Sequence, residues 1–227
     1  MSNYSHAYLL PTYFQGVQET SAAVSGALYL STTIPMLACS LTTGFLVTKF
    51  GYYVPFMWLG SAIYVAGSAL LYQLRADSVL SQWVGYQVVA GMGVGTSAQV
   101  GFIAVQVVSS EVDMPTACAM LILFRLLGAS IGISVAENLF AGAMKRNLEG
   151  IVPGLESESI LRTGIADLVR IGQTLTPPLH ARFKDALSGA VVLALILPVV
   201  ATSLAAVTSW AMEWRQIPDS EDGELIA

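Results

Sequence analysis

Apolar residues run through this chain in stretches longer than a soluble helix needs to bury one face. Residues 20–48, 50–74, 78–110 and 186–212 hold no Asp, Glu, Lys or Arg, and residues 114–144 hold only Arg125 and Glu137. Each stretch exceeds the roughly 20 residues with which a helix crosses a hydrocarbon core. The first 18 residues are also uncharged, but their apolar part, AYLLPTYF, is short for a full crossing before the Gly16–Ser25 loop. The pattern predicts five full helical spans and one shortened one, near 4–17, 25–47, 53–73, 83–107, 115–142 and 187–210. Short connections at 18–24, 48–52, 74–82 and 108–114 precede one long loop at 143–186. A membrane β-barrel would need alternating segments of about ten residues between turns, and the chain has no such alternation. The expected fold is all-α, a polytopic membrane helix bundle.

Two lesser elements follow from the same reading. In the long loop, Leu161, Ile165 and Leu168 fall on one helical face while Arg162, Asp167 and Arg170 lie away from it. This spacing predicts a short amphipathic helix near 158–171, lying on the membrane surface or capping the bundle, with Pro177-Pro178 ending it before the last span. The tail, 216–227, is acidic and is expected to be disordered. The first segment lacks the basic start and small-residue cleavage site of a signal peptide. Asn3-Tyr4-Ser5 matches a glycosylation sequon, a weak signal so close to the start.

Composition sharpens the picture. Apolar residues make up 55% of the 227 residues and charged residues only 11%, against the roughly 25% charged residues of a soluble protein. An ordinary soluble enzyme is excluded, and the natural solvent is lipid. The net charge of −5 gives no electrostatic basis for nucleic-acid binding. Cys39 and Cys118 sit within apolar runs without metal-ligand spacing and read as small buried hydrophobes. No hydrolase, kinase, zinc or dinucleotide signature is present. The two histidines, His6 and His180, lack a triad or ligand cluster. The chain is read as a non-enzyme with no cofactor and no metal.

Arg125 is the sharpest chemical signal. It stands near the middle of a span, where a charge is costly unless it faces protein or a wet cavity. Its helical face also carries Ala129, Gly132 and Ala136, small residues that admit a neighbouring helix or a ligand. Arg125 is therefore expected to point inward, either as a substrate, anion or proton-coupling group, or as a snorkelling or interhelical hydrogen-bonding arginine. Glu137 lies about 18 Å further along the axis, too far for a pair within the helix. It is a candidate for proton coupling or for a polar contact at the bundle mouth, with Asn138 beside it.

In the fourth helix, Gln87, Gly91, Gly95 and Gln99 recur every four residues. The glycines permit close backbone approach, as Gly128 and Gly132 do in the fifth helix. The glutamines either line a cavity or bond across helices. Pro35 and Pro198 are expected to bend their spans.

At these residues the chain resembles the C-terminal half of a major facilitator superfamily transporter, most nearly the fourteen-helix fungal drug and toxin exporters of the drug:proton antiporter type. YLLPTYFQGVQETSAAVSG resembles the seventh core helix and the loop after it. GFLVTKFGYYVPF resembles the loop between core helices eight and nine, with Gly44, Lys49 and Gly51 matching its glycine-basic-glycine motif. WVGYQVVAGMGVGT resembles the start of core helix ten, PTACAMLILFRLLGASIGISVAENLF core helix eleven, and AMEWR the end of the last helix. The likeness covers residues 1–215.

The resemblance implies two six-helix halves around a central cavity, rocking between inward-open and outward-open states. It implies export of small hydrophobic drugs, toxins or secondary metabolites, driven by protons. Tyr13, Phe14 and Gln15 match the first motif and would line the cavity with Gln87, Gln99, Arg125 and Asn138. Arg125 falls where relatives often carry glutamine or arginine, and Glu137 replaces a frequent glutamine. Thr48 and Tyr52 depart from the acidic and basic residues that the wider family's loop motif can carry. The family order puts the 48–52 and 108–114 loops in the cytoplasm and the long loop outside. The loop charges argue the reverse: Arg75, Lys145, Arg146, Arg162, Arg170, Arg182 and Lys184 fall on one side, Lys49 and Arg215 on the other. Expected partners are the bilayer, a small hydrophobic substrate, protons, and a missing N-terminal half or a second copy in a homodimer. The alternative is an inactive truncated remnant, or a half-protein that associates with another membrane protein. The plasma membrane is the expected location, with a vacuolar or vesicular membrane as the alternative.

Overall fold

The computed structural model of the chain describes residues 1–148, 172 and 175–212. The described residues form seven helices: α1 (Ser2–Gly16), α2 (Ala22–Phe50), α3 (Val54–Leu71), α4 (Leu80–Val108), α5 (Met114–Leu148), α6 (Pro177–Ala194) and α7 (Ile196–Ser209). No strand occurs among them, so the fold is an all-α bundle. Five stretches are long and apolar enough to cross a membrane: α2, α3, α4, α5, and α6 with α7 as one span. α1, at 15 residues, rises about 22 Å, short of the roughly 30 Å hydrocarbon core. Every long span encloses its backbone hydrogen bonds within a helix, as lipid demands. Several hydroxyls within the spans donate to the preceding turn, Thr96 to the Met92 carbonyl at 3.0 Å and Thr202 to the Pro198 carbonyl at 2.8 Å, whereas the buried Ser68 hydroxyl has no partner among the described residues.

Local chemistry sets the ends. Ser21 caps α2, its hydroxyl accepting the Val24 N–H at 3.3 Å. Gly51 ends α2 with φ +71°, a left-handed conformation that an L side chain resists, and its N–H reaches the Val47 carbonyl at 3.0 Å. Lys49 lies in that last turn, complementing the helix dipole. Ahead of α5, the Ser110 hydroxyl donates to the Asp113 carboxylate at 2.7 Å and accepts the Asp113 N–H at 3.2 Å.

Two boundaries differ from expectation. α5 continues to Leu148, beyond the predicted end at 142, because Lys145 and Arg146 suit a helix C-terminus and Asn147 ties that end to α6 by donating to the Ala186 carbonyl at 3.0 Å. The last span starts at Pro177 and not near 187. Pro177-Pro178 opens α6, a role that proline's fixed φ and missing N–H suit, with Thr176 as N-cap. The span breaks at Leu195, three residues before Pro198, whose ring cannot continue the hydrogen-bond ladder. Around Pro35 the helix is unbroken. Cys39 and Cys118 are unpaired and half-buried, a little more open than expected. The expected helix near 158–171 and the acidic tail 216–227 lie outside the described residues.

α4 is the centre of the packing, with α2 on one side and α3 on the other. α5 packs on α6, α3 on α7, and α1 lies against α5, α2, α7 and α6. The larger core sits at one end of the bundle, where Tyr13 and Phe14 of α1 meet Leu71, Leu74 and Trp83 on one side and Met144, Phe183 and Leu187 on the other. Val47, Tyr53, Val54, Val100 and Ala104 form a smaller core at the other end. There the Trp58 indole donates to the Ser209 carbonyl at 3.1 Å and stacks near Trp210. α2 and α5 expose large apolar side chains along their lengths, including Ile34, Leu41 and Phe45 on α2 and Phe124, Leu126 and Ile131 on α5.

Candidate functional site

The first turn of α1 packs against α5 inside the bundle. Gly132 makes this approach close: a Cβ there would come within 2.7 Å of the Met1 side chain and 3.2 Å of the Ser5 hydroxyl. Ala129 and Ala136, on the same face of α5, are buried. The small-residue face recognised in the sequence is thus the seat of α1, with Arg125 at one end of it.

Beyond the first turn of α1 lies a cavity of about 880 Å³, walled by α1, α3, α4, α5 and α7. Its lining is mainly apolar, with Met57, Val94, Phe102, Leu121, Phe124 and Leu204. Hydroxyls of Ser61, Tyr64, Ser97, Thr202 and Thr208 interrupt it, and Arg125 is its one charged side chain. The guanidinium stands over the Phe102 ring, 6.0 Å from its centroid, at the outer range of a cation–π contact. Among the described residues no carboxylate pairs with it. Such a site suits an apolar molecule with a polar or anionic group, bound by a few placed donors on a greasy wall. A second cavity of about 820 Å³ lies at the opposite end between the α3–α4 turn and α6, where Arg75, Asp77 and Asp185 give it a more polar character.

The other predicted residues are dispersed. Tyr13 and Phe14 are fully buried in the larger core and do not line the 880 Å³ cavity. The Tyr13 hydroxyl donates to the Arg75 carbonyl at 2.6 Å and accepts from Gln18 at 3.3 Å, while Phe14 packs 4.9 Å from Trp83. Gln15, next on α1, is half-buried. The period-four face of α4 is the seam with α2. The Thr32 hydroxyl donates to Gln87, which is wholly buried and gives its own N–H to the Trp83 carbonyl. The Ser40 hydroxyl donates to Gln99 at 3.2 Å. Between them, a Cβ on Gly91 or Gly95 would collide with the Thr32 or Met36 carbonyl. Neither glutamine lines the cavity around Arg125; of the two roles left open by the sequence, interhelical bonding is the one observed. Gly128 stands near Met1, at 3.7 Å for a Cβ. Gly44 abuts the Gln99 side chain at 3.6 Å, and Lys49 is exposed at the end of α2. Glu137 and Asn138 are exposed on α5, and the Asn138 amide donates back to the Ser134 carbonyl at 2.8 Å. Glu137 lies close enough to Tyr8 for its charge to act there.

Sequence reasoning missed His6 and Tyr64. His6 is 2% exposed, its Nδ1 lies 3.4 Å from the Tyr64 hydroxyl, and its Nε2 has no hydrogen-bond partner. The only signal was a histidine in an uncharged segment.

No family model matches the chain, and no solved structure matches it. Curated proteins do. The chain is 36% identical over 215 residues, 95% of its length, to the MFS-type transporter ltbE of Aspergillus luteorubrus, of which it covers 39%. It is 34% identical over 219 residues, 96% of its length, to the efflux pump aunC of Aspergillus niger, covering 41% of that protein. It is 32% identical over 214 residues, 94% of its length, to the MFS-type transporter lnaF of Aspergillus flavus, covering 44%. The chain therefore spans less than half the length of each of these relatives. Nearly all of it is similar in sequence to one stretch of fungal MFS-type transporters and efflux pumps, transport proteins and not enzymes, and its apolar bundle is that of a multi-pass membrane protein.

Proposed function

We propose that this chain is the C-terminal helix half of a major facilitator exporter that moves small hydrophobic molecules out of the cell, with protons moving in the opposite direction. The carrying observation is Arg125: a cation with no carboxylate partner among the described residues, set in an apolar span and bordering a cavity of about 880 Å³ with a mainly apolar lining. A charge so placed is costly in lipid, and a bound polar group that accepts from the guanidinium, such as the ester carbonyl of a dye, offsets that cost. The names of the relatives, transporters and efflux pumps, support the direction of movement. In this reading Arg125 contacts the substrate, and Gly91, Gly95, Gly128 and Gly132 let the helices close around it. Gly51 turns the chain from α2 into α3, with Gly44 and Lys49 on α2 ahead of it, and in this reading these residues hold α2 and α3 together as one unit. Glu137, Asn138 and Gln15 border the passage outside the cavity. Residues 1–215 make up the transporter half, and the plasma membrane is the site of export.

The test is efflux of rhodamine 6G from yeast lacking its own drug pumps, with this chain co-expressed with the N-terminal half of the ltbE transporter. Replacing Arg125 with alanine is expected to reduce efflux by about tenfold, the loss of one contact of about 1.4 kcal/mol, at unchanged abundance. Unchanged efflux would overturn the assignment, and lost abundance would assign Arg125 to packing.

A second reading has support in the exposed apolar sides of α2 and α5. They fit a half-protein that pairs, within the bilayer, with another membrane protein or a second copy. Stable recovery of the chain in a complex that carries no rhodamine efflux would favour it.

A further inference from the structure

We propose that His6 is the proton-binding group of this half and that the Tyr64 hydroxyl connects it to the cavity around Arg125; the proposal rests on the exporter reading. Tyr64 has two neighbours at once. It lines the cavity, and its hydroxyl lies 3.4 Å from His6 Nδ1, the rings meeting edge to face at 5.9 Å. That separation is long for a hydrogen bond and short enough to become one after a small movement. Behind it the imidazole is sealed from the surface, with Nε2 buried and unpartnered. A histidine kept only for packing has both nitrogens satisfied or one in solvent; here one nitrogen is left free and the other is aimed at a hydroxyl that opens onto a cavity.

The surroundings leave few competitors. Tyr29 of α2 lies near Tyr64. On α5, Arg125 is across the cavity and Glu137 is beside Tyr8. α7 carries no ionisable group, and those of α6, His180, Arg182, Lys184 and Asp185, lie in its N-terminal half, where His180 and Lys184 pair with Glu19 and Asp185 borders the second cavity. On α1 itself stand the Met1 amino group, Tyr4, Tyr8 and Tyr13. Of these, Tyr64 is the one whose hydroxyl faces a His6 ring nitrogen, at 3.4 Å.

The transfer balances. A hydronium ion in the cavity gives a proton to the Tyr64 oxygen as that phenol passes its own proton to His6 Nδ1. One water is left, the phenol stays neutral, and the imidazole gains one positive charge. The reverse transfer returns the proton to water. The added charge acts on the same cavity as Arg125, so a bound proton and a bound cation such as rhodamine 6G oppose each other, whereas an anionic group would be held more tightly by both. Exchange of the proton for the cation requires that opposition.

The chain has two histidines, so selective ¹⁵N-histidine labelling of the full chain in lipid nanodiscs gives two imidazoles, and His180→Gln leaves His6 alone. On acidification His6 is expected to change from one tautomer to the doubly protonated ring while the bundle stays folded. Tyr64→Phe is expected to slow that exchange by at least about tenfold, a small part of what a positioned proton relay can supply. An imidazole that stays neutral over the whole folded range overturns the proposal, as does exchange equally fast in Tyr64→Phe. If Tyr64→Phe does not fold, His6→Gln in the co-expressed exporter decides: retained rhodamine 6G binding with loss of pH-driven efflux supports the assignment, and unchanged pH-driven efflux overturns it. The two readings fail separately. A titrating, Tyr64-dependent His6 without any efflux removes the exporter reading, while efflux that needs Arg125 with a silent His6 removes only this one.

Discussion

The seam between α2 and α4 offers the most demanding test of how this bundle is held. In lipid, burial of apolar surface between helices gains little over burial in acyl chains, so close packing and interhelical hydrogen bonds must hold them together. Gly91 and Gly95 provide the packing: a Cβ on either meets a backbone carbonyl of α2, Thr32 or Met36. A carbonyl within a helix cannot rotate away as a side-chain end can, so the whole of α2 must shift. Overpacking of this kind costs about 1–3 kcal/mol, while alanine gains about 0.5–1 kcal/mol over glycine in a helix. The shift also stretches the bonds from Thr32 to Gln87 and Ser40 to Gln99, which flank the seam, at about 0.6 kcal/mol each in a membrane bundle. Gly95→Ala is therefore expected to destabilise the bundle by about 1–3 kcal/mol on balance. The Gly91→Ala, Gly95→Ala double variant should cost less than the two singles together, because one displacement of α2 relieves both contacts. Gly85 and Gly142 supply internal controls, since a Cβ there meets nothing within 4 Å; alanine at either should be neutral or slightly stabilising. The assay is reversible SDS denaturation in mixed micelles, followed by Trp83 fluorescence, with hydrogen exchange along α2 as the local readout. If Gly95→Ala were as stable as Gly85→Ala, close backbone contact would not be what joins α2 to α4.

Other outcomes follow from separate contacts. Arg125→Ala should reduce rhodamine 6G efflux about tenfold without changing abundance, and Tyr64→Phe should slow proton exchange at His6 in the NMR experiment. Gly51→Ala forces an L side chain into the left-handed region at φ +71° and should cost about 1–2 kcal/mol, with asparagine costing less; the same micelle denaturation reads it. Glu19 accepts from His180 at 2.7 Å and Lys184 at 3.4 Å. With these side chains about a third exposed, Glu19→Gln should cost no more than about 1 kcal/mol, and the loss should shrink in high salt.

The spans were legible because lipid imposes one length and one composition on every helix that crosses it. The ends of the charged helices were not. At α6 the polar turn with His180, Arg182, Lys184 and Asp185 hid the start, and Pro177-Pro178 was read as a stop when it opens a helix. Lys145 and Arg146 hid the end of α5 in the same way. Periodicity found the face Gln87, Gly91, Gly95, Gln99, but whether it met a helix or a cavity depends on α2, more than 50 positions away for the Thr32–Gln87 bond (separation 55). The side of α5 that receives α1 could be read from the small residues Ala129, Gly132 and Ala136, although Arg125, which borders the cavity, is itself exposed. His6 could not, since its neighbour Tyr64 is 58 positions distant and nothing local marks either residue.

That contrast bears on how the cavity works. α2 and α4 are joined by glycine contacts and by glutamines whose bonds stay within the seam, so this pair has little freedom to part. α1 is held differently: packed in the larger core through Tyr13 and Phe14 at one end, and at the other resting on the small residues of α5 with His6 and Asn3 incompletely bonded. Weakly satisfied polar groups mark where a second arrangement costs little. A movement of α1 that pivots on its well-packed end would bring His6 toward or away from Tyr64 and change the wall of the cavity in the same step. In the proposed exporter, the His6 proton site and the Arg125 substrate site would then share one moving element, with α4 as the fixed one.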